Sequence, residues 1–178
     1  QHRDLLKGAL GVFGLGADAD LDIMQAGQTL ENVTARLLTG IGDFLREERP
    51  ALVMAQGDTT TVLASALACF YQRIPFAHVE AGLRTTDVSS PFPEEFNRRA
   101  VSLTASLHFA PTSQAADNLL KEGVPAGTVH VTGNTVIDAL LSVPVREPGK
   151  PSGRRRILLT CHRRESFGGP LAAIFDAV

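Results

Sequence analysis

Residues 51–98 read ALVMAQGDTTTVLASALACFYQRIPFAHVEAGLRTTDVSSPFPEEFNR, and the fold class can be inferred from this segment. The short apolar runs at 51–55 and 76–79 are typical of strands that are buried on both faces. Residues 59–72 lie between them and predict a helix. A strand, a helix and a second strand in this order predict a parallel βαβ unit.

The same alternation continues on both sides of this stretch. Further helices are predicted at 2–13, 30–48, 92–104, 113–122 and 136–141, further strands at 107–110 and 129–132, and a short edge strand at 20–24. Thr29 is the expected N-cap of the helix at 30–48, and Pro50 is expected to stop that helix. Strands that alternate with helices of roughly ten residues predict an α/β fold, with a parallel sheet covered on both faces.

Residues 144–153 contain three prolines and two glycines and are therefore predicted to be a linker. We expect one α/β domain at 1–143 and the start of a second domain at 154–178. In the second domain, a strand is predicted over Arg156–Thr160 and a helix over Gly169–Val178. The sequence opens and stops within predicted helices and has no initiator Met, so we expect a fragment of a longer protein.

The composition is that of an ordinary globular protein, because 44% of the 178 residues are hydrophobic and 20% are charged. The net charge of -2 provides no basic surface for nucleic acid or for an anionic membrane. The longest apolar run, Val62–Phe70, is about half the length that a membrane span needs. Cys69 and Cys161 suggest neither a disulfide framework nor a metal site, which fits a reducing cytoplasm.

Two acidic side chains directly follow predicted strands. Asp58 follows the strand at 51–55, and Glu80 follows the strand at 76–79, so both are expected at the carboxyl edge where parallel sheets bind ligands. A simpler explanation of Gly57-Asp58-Thr59-Thr60 is a helix N-cap, which contributes about 1 kcal/mol. Glu80 has apolar neighbours and needs a partner, for which Arg84 and His78 are the candidates; otherwise it is a hydrated carboxylate.

Glu94 and Glu95 follow Pro91-Phe92-Pro93 and open a predicted helix. Acidic residues in a first helical turn favour the helix dipole, which is a sufficient structural explanation of both. The two prolines also predict a rigid turn that fixes the direction of the carboxylates. Arg98 lies four residues after Glu94, and the simplest expectation is an ion pair between them.

Two further motifs end predicted strands. Val131-Thr132-Gly133-Asn134-Thr135 predicts a strand end, a turn and a helix start, and turn chemistry alone explains it. Thr160-Cys161-His162-Arg163-Arg164-Glu165 places three basic side chains before a Gly-Gly pair that opens a helix, and this arrangement suits a phosphate group. A solvated charged loop is the alternative explanation.

Taken together, these motifs resemble the non-hydrolysing UDP-N-acetylglucosamine 2-epimerase family. The resemblance is carried by five motifs in the family's order: Gln56–Thr61, His78–Thr85, Pro91–Glu95 with Asn97 and Arg98, Thr132–Thr135 with Asp138–Leu140, and Thr160 with His162–Glu165. The family is about twice this length. The resemblance implies a Rossmann-like domain of a two-domain, glycosyltransferase-B-like fold with the active site in the interdomain cleft.

The resemblance also implies a reaction and its residues. UDP-N-acetylglucosamine and UDP-N-acetylmannosamine interconvert by elimination and re-addition of UDP through 2-acetamidoglucal, without a cofactor or a metal. The implied acid and base residues are Asp58, Glu80 and Glu94, and the implied substrate-binding residues are His162, Arg163, Arg98, Glu95 and Arg84. A homodimer that supplies polysaccharide biosynthesis of the cell envelope is the corresponding expectation for the full-length protein.

In some bacterial members of the family a second substrate molecule acts as an activator. Gln1 and His2 match the residues that bind it, whereas Asp4 and Gly27 depart from that pattern. Three alternative functions remain open from the sequence: a hydrolysing epimerase, a related sugar-nucleotide glycosyltransferase, and an inactive truncated fragment.

Overall fold

The computed structural model describes residues 3–25, 27–143, 157–160 and 168–177. The chain divides into two compact units, Gln1–Leu140 and Leu141–Val178. The first unit contains the strands β1 (Val53–Gln56), β2 (Phe76–Val79), β3 (Leu107–Ala110) and β4 (Val129–Val131) and the helices α1 (Arg3–Val12), α2 (Leu30–Glu48), α3 (Thr60–Gln72), α4 (Glu94–Ser102) and α5 (Ser113–Lys121). Helix α6 (Thr135–Ser142) lies at the boundary, and α7 (Gly169–Asp176) belongs to the second unit.

The four strands form one sheet in the order β1-β2-β3-β4, and every neighbouring pair is parallel. Ala55 of β1 pairs with His78 of β2, His78 pairs with His108 of β3, and His108 pairs with Val129 of β4. The predicted α/β fold with a parallel sheet is therefore confirmed. All four strands end at the same edge, which is the edge expected to bind ligands.

Helix α2 follows directly from its sequence pattern. The Thr29 side chain accepts a hydrogen bond from the Asn32 backbone N–H at 3.3 Å, as predicted for its N-cap. Val33, Leu37 and Leu45 recur on one face and are buried. Burying a large apolar side chain contributes about 1.5–3 kcal/mol, so this face holds α2 against α3 and the sheet.

Helices α3, α4 and α5 pack on one face of the sheet. Phe76 and His78 point to this face, where Phe76 joins a buried cluster with residues of α2, α3 and α4. His108, paired with His78, contacts the Ser102 carbonyl of α4 through Nε2 at 3.3 Å. The strands follow one another across the sheet in a single direction, from β1 to β4. Because the connections between parallel strands are right-handed, their helices then lie on the same side of the sheet.

The opposite face of the sheet departs from the prediction of helices on both sides. Met54 is 58% exposed there, and Gln56 and His130 are exposed as well, whereas Ala77, which pairs with Met54 on the same face, is buried. Within the described residues, the face with Met54 is therefore more open than the short apolar strands suggested. The apolar composition of such short strands does not distinguish one covered face from two.

Two predicted strands are not found. Residues 20–24 are irregular, because the Asp20 side chain accepts a hydrogen bond from the Asp22 backbone N–H and Asp22 adopts a positive φ of 44°. Residues 157–160 are irregular as well, and Arg156 lies outside the described residues. The predicted linker at 144–153 also lies outside them, whereas α7 agrees with the predicted final helix.

None of the helices in the described part of the chain is both long and apolar enough to cross a membrane.

Candidate active site

The turn after β1 brings Asp58 to the carboxyl edge of the sheet. Gly57 has a φ of 88°, and its N–H donates to the Val79 carbonyl of β2 at 3.0 Å. The N-cap of α3 is Thr59, which accepts from the Val62 N–H at 3.4 Å. The N-cap expected within Gly57-Asp58-Thr59-Thr60 is therefore formed, and Thr59 supplies it. Because Thr59 caps the helix, the Asp58 carboxylate is left for other contacts.

Asp58 sits within a charged group. Arg98 Nη1 donates to Asp58 Oδ2 at 3.3 Å, and Asn97 Nδ2 donates to the Asp58 carbonyl at 2.8 Å. Burial raises the pKa of the Asp58 carboxyl above its ordinary value, although the Arg98 guanidinium opposes this. The negative charges of Glu94 and Glu80 raise the pKa of Asp58 further. A carboxyl with a raised pKa is better suited to exchange a proton near neutral pH.

Glu80 occupies an unusual backbone conformation directly after β2. Its φ is 67°, in the left-handed region, which destabilises a non-glycine residue and persists only where surrounding contacts hold it. The next residue, Ala81, donates its N–H to the Phe109 carbonyl at 3.0 Å. Glu80 Oε1 accepts a hydrogen bond from Asn134 Nδ2 at 2.9 Å. The partner of Glu80 is therefore Asn134, and not Arg84 or His78 as expected from the sequence.

His78 points into the packed face of the sheet and is not the partner of Glu80 that the sequence suggested. It is fully buried, and its Nε2 lies 2.8 Å from the Gly57 carbonyl. Because a carbonyl only accepts, His78 carries its proton on Nε2 and braces the turn that holds Asp58. Burial lowers the pKa of His78 to about 4, so the imidazole is neutral at physiological pH.

Arg84 lies between α4 and the end of α5. Its Nε and Nη2 donate to the two carboxylate oxygens of Glu122 at 2.8 and 2.7 Å, and Nη2 also donates to Ser102 Oγ at 2.9 Å. The Arg84 side chain is only 8% exposed. These contacts give Arg84 a bracing role in the domain, and its contact with substrate stays a prediction.

Glu95 is the buried centre of a second charged group. Its Oε2 accepts from Arg98 Nε at 2.6 Å and from the Thr85 N–H at 3.1 Å, and its Oε1 accepts from Arg99 Nε at 2.6 Å. Burial alone would raise the pKa of Glu95, but the hydrogen bonds from Arg99, Arg98 and Thr85 outweigh it. The pKa of Glu95 therefore lies below its ordinary value, and the carboxylate remains ionised. Glu95 fixes Arg98, which in turn reaches Asp58.

Glu94 opens α4 beside Glu95 but has different surroundings. Its side chain is half-buried and has no hydrogen-bond partner among the described residues. The ion pair expected between Glu94 and Arg98 is not formed, because Arg98 is held by Glu95 and Asp58. Glu94 is near enough for its charge to raise the pKa of Asp58. The structure therefore brings Asp58, Glu80 and Glu94 together at one edge.

The loop between β4 and α6 crosses the same edge and contributes a residue that the sequence analysis explained as turn chemistry. Thr132 N–H donates to the Ala110 carbonyl at 3.0 Å, and Thr135 Oγ1 donates to Gln56 Oε1 at 3.0 Å. Asn134, between them, binds Glu80. A polar turn directly after a strand, at the edge that holds the acidic residues, is the sequence signal that indicates such a contact.

Four other predicted site residues, His162, Arg163, Gln1 and His2, lie outside the described residues. In the part of the chain that is described, no group of three or more His, Cys, Asp or Glu side chains is arranged to hold a metal ion. The chemistry that the described site offers is proton transfer by carboxylates beside one arginine.

Comparison with known proteins identifies the family. The profile of the family described as UDP-N-acetylglucosamine 2-epimerase matches residues 1–178. The Escherichia coli (strain K12) UDP-N-acetylglucosamine 2-epimerase is 47% identical over 196 residues, which cover 100% of this chain and 51% of that protein. A Thermotoga maritima protein is 50% identical and is covered to 49%. The chain thus spans about half the length of the curated relatives it matches.

Solved structures agree with this assignment. The S. aureus MnaA–UDP co-structure is similar with a TM-score of 0.91 and 44% identity over 99% of this chain and 48% of that chain. The crystal structure of UDP-GlcNAc 2-epimerase from Neisseria meningitidis bound to UDP-GlcNAc has a TM-score of 0.75 and 49% identity, over 79% of this chain and 39% of that chain. The fold is therefore the Rossmann-like α/β fold of these enzymes, and the chain belongs to the UDP-N-acetylglucosamine 2-epimerase family.

Proposed function

We propose that the full-length protein containing this chain interconverts UDP-N-acetylglucosamine and UDP-N-acetylmannosamine. The observation that carries the proposal is the meeting of Asp58, Glu80 and Glu94 at one edge of the sheet. These carboxylates come from three separate segments: the turn after β1, the turn after β2 and the first residue of α4. Burial raises the pKa of Asp58, and the charges of Glu94 and Glu80 raise it further. The family relationship supports the same reaction.

Inversion at C2 of the sugar has a clear physical requirement. The C2 proton must leave from one face of the ring while the bond between C1 and the UDP oxygen breaks. Protonation of the resulting 2-acetamidoglucal from the opposite face then gives the epimer when UDP adds back. One carboxylate does not reach both faces, so a base and an acid on different loops are needed.

The described residues divide these tasks. Asp58, Glu80 and Glu94 are proposed as the acid and base groups. Arg98 and Glu95 are proposed to orient Asp58, because Arg98 contacts both carboxylates. A proton donor or acceptor that is held within hydrogen-bond reach of its carbon contributes about 10²–10⁴-fold to a rate.

The leaving UDP develops negative charge, and cationic groups must hold the diphosphate throughout the reaction. His162 and Arg163 are proposed for this task, from the predicted second domain. The reaction is redox-neutral, and we propose that it uses neither a cofactor nor a metal.

Relatives also support the UDP-sugar substrate of the proposal. The Neisseria meningitidis enzyme is described as bound to UDP-GlcNAc, and the S. aureus structure as containing UDP. We propose that the full-length protein is a cytoplasmic homodimer that takes the same substrate and supplies cell-envelope polysaccharide synthesis. The 178-residue chain alone is expected to be inactive, because it spans about half of its relatives; turnover by the purified chain would contradict this.

The experiment is incubation of the full-length enzyme with UDP-N-acetylglucosamine in heavy water. The expected result is deuterium at C2 of both epimers, without any acceptor and without accumulation of free UDP. Free UDP and N-acetylmannosamine that accumulate with turnover would indicate the hydrolysing epimerase instead. Sugar transfer to an acceptor without deuterium at C2 would indicate a glycosyltransferase and overturn the proposal.

A further inference from the structure

We propose that Asn134 is a positioning residue for Glu80, which it orients so that Oε2 is the oxygen that exchanges a proton with substrate. This inference rests on the proposed function. It goes beyond that function because it assigns a task to a side chain that contacts only another residue of the protein.

The two carboxylate oxygens of Glu80 have different surroundings. Asn134 Nδ2 lies 2.9 Å from Glu80 Oε1, and a Cβ added at Gly57 would lie 3.9 Å from Glu80 Oε2. One carboxylate oxygen therefore accepts from the loop after β4, while the other faces the turn that carries Asp58. Oε2 is therefore the oxygen on the side of Asp58.

The orientation of the Asn134 amide is fixed by its second contact. Asn134 Oδ1 accepts from the Val136 backbone N–H at 3.0 Å. A backbone N–H only donates, so the amide oxygen must face Val136 and the amide nitrogen must face Glu80. The amide is thus held as a donor toward Glu80 before any substrate binds.

The backbone of Glu80 explains why such a contact is needed. Glu80 lies in a turn directly after β2, at a positive φ of 67°, so its side chain is restricted neither by a helix nor by a neighbouring strand of the sheet. The hydrogen bond from Asn134 supplies that restriction across 54 residues of sequence. A hydrogen bond to a charged group typically contributes enough to change an equilibrium or a rate by about 10- to 100-fold.

A purely structural role of the loop is the competing explanation, and the loop offers a matched control. Thr135 Oγ1 donates to Gln56 Oε1 at 3.0 Å, so it anchors the same loop to the end of β1. In the described structure, that contact does not involve Glu80. Thr135→Val removes this anchor and leaves the donor of Asn134 in place.

The experiment compares kcat, KM and melting temperature of the full-length enzyme with those of Asn134→Ser, Asn134→Asp and Thr135→Val. Serine retains an oxygen for the Val136 N–H but does not reach Glu80, and aspartate retains the shape while it places a second anion beside Oε1. We expect kcat to fall about 10- to 100-fold in Asn134→Ser, and at least as far in Asn134→Asp. KM should change by no more than about twofold, and Thr135→Val should retain kcat within about twofold.

The outcomes separate the two proposals. Deuterium at C2 with the unmodified enzyme supports the proposed reaction independently of Asn134. With an active unmodified enzyme, unchanged kcat in both Asn134 variants would overturn the positioning role. A rise in KM at constant kcat would overturn it as well, and so would an equal loss in Thr135→Val. If the unmodified enzyme shows no C2 exchange, the proposed function fails and this inference fails with it.

Discussion

Glu94 and Glu95 are neighbours in the sequence, yet the fold places them in opposite environments. Glu95 is fully buried and accepts hydrogen bonds from Arg98, Arg99 and the Thr85 N–H. Glu94 is half-buried, and no side-chain donor contacts it in the part of the chain that the structure describes. The same residue type thus acts as a fixed anion at one position and as an open carboxylate at the next.

Two groups of charged side chains lie around α4. The open group consists of Asp58, Glu80 and Glu94, whose carboxylates interact through their negative charges. The enclosed group is centred on Glu95, whose charge is neutralised by two arginines. Burial and the negative charges of Glu94 and Glu80 raise the pKa of Asp58 and so favour its proton uptake, whereas the enclosed Glu95 has a lowered pKa and resists it. Changes in the open group should therefore affect turnover, and changes in the enclosed group should affect stability.

The largest expected effect is on turnover, in the open group. Asp58→Asn, Glu80→Gln and Glu94→Gln in the full-length enzyme should each lower kcat by about 10²–10⁴-fold, because each removes a group that can transfer a proton. The melting temperature should change little, since each replacement keeps the shape of the side chain. Steady-state kinetics and thermal unfolding measure both quantities. Near-normal turnover in all three variants would remove the assignment of acid and base.

The second largest effect is expected on the free energy of unfolding, for a variant of the enclosed group. Glu95→Gln should lower the free energy of unfolding by about 3–5 kcal/mol, because it leaves the buried Arg98 without its main counter-charge. Denaturant unfolding measures this change, and Glu94→Gln is the matched control. If the two variants lose equal stability, the distinction between the enclosed and the open carboxylate is wrong.

A smaller loss of stability is expected when the pH is lowered. It arises from His78, which contacts the turn that carries Asp58. His78 has a pKa of about 4 in the folded protein, below the value of 6.5 that it has without burial. The unfolded chain therefore binds more protons between these values, and stability falls as the pH is lowered from 6.5 to 4. The loss is at most about 3 kcal/mol.

Denaturant unfolding at several pH values measures this loss, with His78→Gln as the variant that keeps a donor toward Gly57 but does not titrate. The pKa of His108 is lowered by burial too, so part of the slope should remain in the variant. An unchanged slope in His78→Gln would show that His78 is not the group responsible.

The smallest change in the free energy of unfolding is expected for an exposed ion pair on α2, outside both charge groups. Arg46 and Asp43 form an ion pair on the surface of α2, and their side chains are 61% and 57% exposed. Exposed pairs contribute about 0–1 kcal/mol, so Asp43→Asn should change the free energy of unfolding by less than about 1 kcal/mol. The same denaturant experiment tests this prediction. A loss of stability comparable with that of Glu95→Gln would mean that burial does not determine how much these ion pairs contribute to the free energy of unfolding.

Local sequence patterns predicted the bounds of strands well where a short apolar run is flanked by polar or turn-forming residues. The strands at Phe76–Val79 and Leu107–Ala110 have the predicted bounds, since each is a short, mostly apolar run. Helix α4 begins at Glu94 and not at residue 92, because Pro93 precedes the first helical residue as its N-cap. The strand predicted at 20–24 failed because alternation alone does not outweigh the local hydrogen bond of Asp20.

The candidate site was predicted by residue type but not by partner. Asp58 and Glu80 were placed at the correct edge because strand ends can be located from the sequence. The partners of Glu80 and Arg84 lie 54 and 38 residues away along the chain, at Asn134 and Glu122. Local periodicity carries no information about such pairs, whereas nearby charged residues in the sequence suggested the wrong ones.

The long separation between Glu80 and Asn134 has a consequence for how the protein matures. A ribosome that has synthesised β1, β2 and α4 has already produced all three open carboxylates, but it has not yet produced Asn134, which lies 54 residues after Glu80. Contacts between distant residues form late in folding because a long loop must first close. We therefore expect a nascent chain to gain its sheet before it gains an ordered Glu80.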